Sequence, residues 1–338
     1  MKTYHKILLI VITLAFSPVV YGQPAKTAKE LTDEGIKLFD SEKYDEAIAK
    51  YKEAIKADPK SDNAYYEMGY TLYNTQKPLE AIPYLETTIK LSPKAGGAYD
   101  LLGSIYDDNK QTAKAIEYYL KGISVDPDYQ RLYYNLGLTY YRQKEYALAE
   151  EKMTKAIKLE PKHASSHRIY AMIANDQNQP GRALLAWCSF LLSEPNTARA
   201  TYAVQRIKAI INKGIKKTTE KNVNISVAPD NVASLMMPLA VINATAGRSN
   251  LSAIDSLTLQ LTSLFSVAHT ITMDKDQPFV ANYFSNYFDS LGKSGNMPAF
   301  VRYITLSIYN DENKAWFKEH EKELKDLDTW VTSTKREL

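Results

Sequence analysis

Cysteine is almost absent. Cys188 is the one thiol in 338 residues, so no intramolecular disulfide framework and no multi-cysteine zinc cage can be built. A surplus of either charge is also missing. The chain has 42 Lys and Arg against 39 Asp and Glu, a formal charge of +3. That leaves no excess of cations to hold a polyanion, and no nucleic-acid partner is expected. Beyond the first residues there is no long apolar run; the stretch from Val232 to Ile242 is too short to span a bilayer and is interrupted by Pro238. A Gly-rich phosphate loop, a nucleophile elbow and an acidic metal loop are lacking too. No catalytic, cofactor or metal constellation is read from the chain. What remains is ordinary folded-protein composition, 45% hydrophobic and 24% charged, which excludes global disorder and a collagen-like chain.

The first residues have a pattern of their own. Lys2, His5 and Lys6 precede the apolar run Ile7 to Phe16, followed by Pro18 and by Val20 and Gly22. A basic start, a short apolar core and small residues at the cut positions predict a signal peptide over 1–22, with the mature chain starting at Gln23. The run is about half the roughly 20 residues that a membrane span needs. No cysteine follows the cut to carry a lipid, so the mature chain is expected to be exported without an integral membrane span. A periplasmic or secreted protein of a Gram-negative bacterium fits best.

The dominant signal is a period. Pro59, Pro93, Pro127, Pro161 and Pro195 stand 34 residues apart, as do Gly35, Gly69, Gly103, Gly137 and Ala171. Ala47, Ala81, Ala115, Ala149 and Ala183 keep the same step, and so do the bulky Tyr51, Leu85, Tyr119, Met153 and Trp187. These offsets resemble the tetratricopeptide repeat. The resemblance implies an all-α fold, a right-handed superhelical solenoid of paired helices A and B, with five repeats at 28–61, 62–95, 96–129, 130–163 and 164–197 inside a unit spanning 23–197. The small residues sit where paired helices approach, and the closing proline stops helix B. Polar stretches such as Ser41-Glu-Lys43 and Gln177-Asn-Gln179 mark the A–B turns. Pro78 and Pro180 fall at the first position of helix B, where the missing N–H costs little. Pro83 predicts a local kink.

The fifth repeat departs from the pattern. His167 and Ala174 stand where earlier repeats have Leu or Tyr, and helix B carries Trp187 and Phe190. That face predicts a neighbour other than a standard repeat, so 198–229 reads as a capping helix and linker. Residues 230–338 read as a C-terminal helical domain, with segments at about 230–246, 251–274, 278–291, 297–309 and 312–332. This third resembles no recognised family.

His163 and His167 have a zinc-like i, i+4 spacing, but Ala164 stands where a zinc protease needs glutamate, and both read as structural. The tyrosines are more informative, 18 of 25 lying between Gln23 and Pro195. At 100° per residue, five positions of helix A point away from the packing stripe. The resemblance implies that this face lines a concave peptide-binding groove. It carries Tyr66, Tyr70, Tyr73 and Asn74 in the second repeat, Asp100 in the third, and Arg131, Tyr134, Tyr141 and Arg142 in the fourth. Tyr and Arg favour binding hot spots. The chaperone-type carboxylate clamp is not expected, because its positions hold Thr32, Ile36, Glu67, Gly97 and Leu101.

The expectation is therefore a non-enzymatic scaffold or adaptor that binds a protein or peptide segment in the cell envelope. Two alternatives stay open. One is a binder of glycans or small ligands, and the other is an accessory subunit with an unrecognised activity in its C-terminal domain.

Overall fold

The computed structural model describes residues 26–217, 223–225, 232–272 and 278–337. The expected leader, and parts of the expected linker, lie outside these residues. Ten helices form the regular part: α1 (Ala28–Asp40), α2 (Tyr44–Ala57), α3 (Asp62–Asn74), α4 (Pro78–Leu91), α5 (Gly96–Asp108), α6 (Thr112–Val125), α7 (Gln130–Arg142), α8 (Tyr146–Leu159), α9 (Ala164–Asp176) and α10 (Pro180–Ser193). Odd-numbered helices are the A helices and even-numbered ones the B helices. A capping box opens the array: the Glu30 amide donates to Thr27 Oγ1 at 3.2 Å, and the Thr27 amide donates to Glu30 Oε2 at 2.8 Å. Pro78 and Pro180 take first positions of their helices, and α4 continues through Pro83 to Leu91.

Each A–B turn is the same device. Glu42, Gln76, Lys110, Lys144 and Asn178, again 34 apart, all have φ between 57° and 63°. The next residue donates its amide back to a carbonyl five positions earlier, as in Lys43 to Leu38 at 2.9 Å and Gln111 to Tyr106 at 2.8 Å. This is the Schellman closure, usually built on glycine. Here side-chain-bearing residues hold the left-handed conformation, so the turn is invisible to a search for Gly. The close approach between paired helices does need glycine: a Cβ at Gly69 would meet the Leu85 side chain at 2.7 Å.

Beyond α10 come α11 (Ala198–Asn212), a hairpin of β1 (Ile215–Lys217) and β2 (Val223–Ile225), and then α12 (Val232–Thr245) and α13 (Ala253–Thr272). A π-helical turn at Val280–Ser285 leads into α14 (Asn286–Lys293), followed by α15 (Met297–Ile304), α16 (Asn310–Glu319) and α17 (Glu321–Ser333). Two features correct the expectation. The stretch read as linker contains an antiparallel pairing, with Ile215 opposite Ile225. The helix expected over 312–332 is two helices. At His320 the backbone leaves the helical range, with φ −130° and ψ 47°. Its ring stacks on Trp316 at 4.0 Å, and Nδ1–H donates to the Trp316 carbonyl at 2.9 Å.

The core has two main parts. One runs through the first four repeats on Tyr51, Met68, Leu85, Leu102 and Tyr119. The other joins α8–α11 to the C-terminal helices. Helix α10 is its centre. Whereas α2 and α4 each bury three residues, α10 buries everything from Ala183 to Leu191. A helix apolar all round must be enclosed, and α9, α11, α13, α15 and the π turn enclose it. Trp187 and Phe190 are fully buried and meet edge-to-face at 6.2 Å. Phe190→Ala should therefore cost about 3–5 kcal/mol in urea denaturation, while Leu120→Ala, 43% exposed on α6, should change stability by less than about 1 kcal/mol.

Candidate functional site

The tyrosines of the A-helix face form a row along the array. Tyr66, Tyr70 and Tyr73 on α3, and Tyr134 and Tyr141 on α7, are half-buried, while Asn74, Arg131 and Arg142 are exposed. Tyr66 and Tyr70 lie parallel at 6.3 Å, Tyr70 meets Phe39 of the first repeat at 5.4 Å, and Tyr134 touches His163 edge-on at 5.0 Å. Beside Tyr66 a cleft of about 310 Å³ opens between α3, α5 and Tyr129, floored in part by Gly97. A Cβ at Gly97 would lie 2.9 Å from the Tyr66 hydroxyl, so a larger residue there would have to displace that ring. Burial pushes the Tyr66 and Tyr141 phenols upward and Tyr73 to about 12. All three remain hydrogen-bond donors at neutral pH.

Polar pairs cross between successive A helices at a spacing of one period plus one residue. The Tyr73 hydroxyl donates to Asp108 Oδ2 at 3.0 Å, Tyr141 to Asp176 Oδ2 at 2.8 Å, and Asn135 Nδ2 to Asp100 Oδ1 at 2.6 Å. Arg142 pairs with Asp107 at 2.5 Å, and Thr139 donates to the same carboxylate at 3.1 Å. Asn74 instead turns back on its own helix, donating to the Tyr70 carbonyl at 2.8 Å. The acids and their donors are visible in the sequence only when residues 35 apart are compared, because helices of neighbouring repeats meet one residue off register.

Asp100 departs from its expected place on an open face. It is 1% exposed, covered by α7, and Arg131 Nε reaches it at 3.1 Å. A helical wheel sees one helix and cannot show that the next A helix lies over this position. Burial raises the Asp100 carboxyl above its ordinary range, and the Arg131 charge and the Asn135 amide only partly offset this. Asp100 is a tie between repeats, not a ligand-facing acid. The two histidines are likewise engaged: His163 Nδ1 meets Ser166 Oγ at 2.7 Å, and His167 Nε2–H donates to the Pro161 carbonyl at 2.9 Å. Cys188 is buried, which pushes its thiol up.

Models of the TPR repeat match residues 35–76 and 103–144, and models of the tetratricopeptide repeat match 62–94 and 130–163. No curated protein matches the chain. Among solved structures, MamA from Desulfovibrio magneticus RS-1 is 22% identical over 49% of this chain and 94% of its own, with a TM-score of 0.44. PilF of Pseudomonas aeruginosa is 16% identical over 54% and 88%, with a TM-score of 0.48. YrrB, a TPR protein with an unusual peptide-binding site, is 17% identical over 53% and 92%, with a TM-score of 0.43.

The Asp100–Arg131 pair makes a signed prediction. Because Asp100 binds a proton more readily folded than unfolded, its contribution to stability is fullest below the unfolded-state pKa and declines as pH rises through the folded-state value. Arg131→Met removes the compensating cation and should cost about 1–3 kcal/mol at neutral pH, less than a fully buried pair because Arg131 is half in water. The penalty should shrink as pH falls, and Asp100→Asn in the same chain should recover part of it. Denaturation at pH 7 and pH 4 measures both.

Proposed function

Residues 35–163 are tetratricopeptide repeats, and on that premise we propose that this chain is a protein-interaction scaffold that holds a peptide segment along its A-helix face. The observation that carries the reading is the row from Tyr66 to Tyr141. Its rings are half-exposed, while the hydroxyls of Tyr73 and Tyr141 are fixed by the next repeat. Aromatic rings held in place lose little entropy on binding. The cleft beside Tyr66 supplies a recess for one side chain. Arg131 and Arg142 are tied to Asp100 and Asp107, so the face offers a near-neutral, hydrogen-bonding surface. It fits a segment bound by stacking and backbone contacts better than a strongly acidic one. Among the described residues no helix is long and apolar enough to cross a membrane. The basic and apolar start of the chain supports export to the periplasm or beyond, which an intact mass beginning at Gln23 would bear out and one beginning at Met1 would overturn.

The test uses peptides selected from a random library against the full chain, read by fluorescence anisotropy. Tyr66→Ala, Tyr70→Ala and Tyr134→Ala should each weaken binding by about 2 kcal/mol, near thirtyfold, with helicity retained. Gly97→Ala, which displaces the Tyr66 ring, should weaken the same peptides. The buried Tyr106 and Tyr133 are the folding controls. Unchanged affinity in the three tyrosine variants would place the interaction elsewhere.

A further inference from the structure

A second cavity, of about 600 Å³, opens where the fifth repeat meets the C-terminal helices, and it shares no residue with the tyrosine row. Its volume lies within the range typical of small-molecule pockets. One wall is apolar, made by Leu192 of α10, Val331 of α17 and the rings of Tyr283 and Tyr287. The other is cationic: Lys162 before α9, and Lys335 and Arg336 in the segment after α17. Among the described residues no carboxylate lines this cavity.

Arg336 is built into the site. Its guanidinium carbon lies 3.9 Å from the centre of the Tyr287 ring and 5.0 Å from that of Tyr283. Nη1 donates to Ser189 Oγ at 2.8 Å, and Ser189 is 2% exposed. A guanidinium carries five N–H donors, and among the described residues no carboxylate comes within ion-pair distance of it. The rings and Ser189 hold the guanidinium in the cavity wall, and a guanidinium so placed with no carboxylate partner has the planar fork of donors that matches the two oxygens of a carboxylate or phosphate. His167, also in the wall, adds no charge at neutral pH: burial, and then the charge of Arg336, hold it down at about 3.

We propose that this cavity binds a small organic anion, an apolar body ending in a carboxylate or phosphate whose oxygens pair with Arg336. The apolar body lies against Leu192, Val331 and the tyrosine rings, and Lys162 and Lys335 add longer-range attraction. The segment 334–336 forms part of the wall, so binding also ties the end of α17 to the last repeat.

Thermal unfolding of the full chain with simple probes at matched concentration tests this, since a ligand of the folded state raises the melting temperature by an amount that grows with the logarithm of its concentration relative to its Kd. Decanoate and decyl phosphate, below their micellar concentrations, should both raise it, and the larger rise names the head group. Decanol, decyltrimethylammonium and inorganic phosphate should not. Calorimetric titration of Arg336→Gln should show at least tenfold weaker binding of the anionic probes, and Arg336→Lys an intermediate loss. Lys335→Gln, at an exposed position, should fold normally and bind with a weaker salt dependence. Equal response to the cationic or neutral probe would leave only an apolar cavity. An equal response to inorganic phosphate would leave only surface charge. Undiminished binding by Arg336→Gln, or no response to either anion, would overturn the proposal outright.

Discussion

A pair of antiparallel helices cannot enclose its own apolar face. Every repeat in this chain is therefore half a core, completed by its neighbours. The internal repeats complete one another through Leu72, Leu102 and Leu136 and the small residues of the helix crossings. At the fifth repeat the solution changes. Helix α10 is buried on every side from Ala183 to Leu191, and beyond its own partner α9 it is enclosed by helices that do not repeat. The larger C-terminal core, with Phe265, Phe284, Phe288 and Phe300 all buried, is built around that requirement.

Much of this could be read from residue types. Prolines, small residues and bulky residues in a common register set the repeats, and Trp187 with Phe190 marked the fifth as the place where the array meets something else. Other features had no local signal. The left-handed turn residues are Glu, Gln, Lys, Lys and Asn rather than Gly, so their shared φ comes from the turn's hydrogen bonds and not from propensity. Asp100 looked exposed because its cover, α7, belongs to the next repeat. The break at His320 rests on a side chain folding back onto Trp316, which helical periodicity does not encode. The π turn at Val280–Ser285 places Tyr283 over His167, stacked at 5.8 Å, a contact between residues more than a hundred apart.

The same ties that hold the repeats in register also shape the A-helix face. Carboxylates that a neutral segment would otherwise have to strip of water are paired with Arg131, Asn135, Thr139 and Arg142. The tyrosine rings are left as the accessible chemistry. In the proposed function, stability and recognition fall to different atoms of this face: the hydroxyls of Tyr73 and Tyr141 and the carboxylates join repeats, and ring faces are left half-exposed.

If enclosure of α10 anchors the molecule, stability must fall toward the free end of the array. Native-state hydrogen exchange on the intact chain reads this directly, helix by helix. Amides of α10 should exchange only through global unfolding. Those of α1 and α2, which have a repeat on one side alone, should open at least tenfold more often, with α3 to α8 graded between them. Equal protection along the array, or faster exchange in α10 than in α2, would contradict the account.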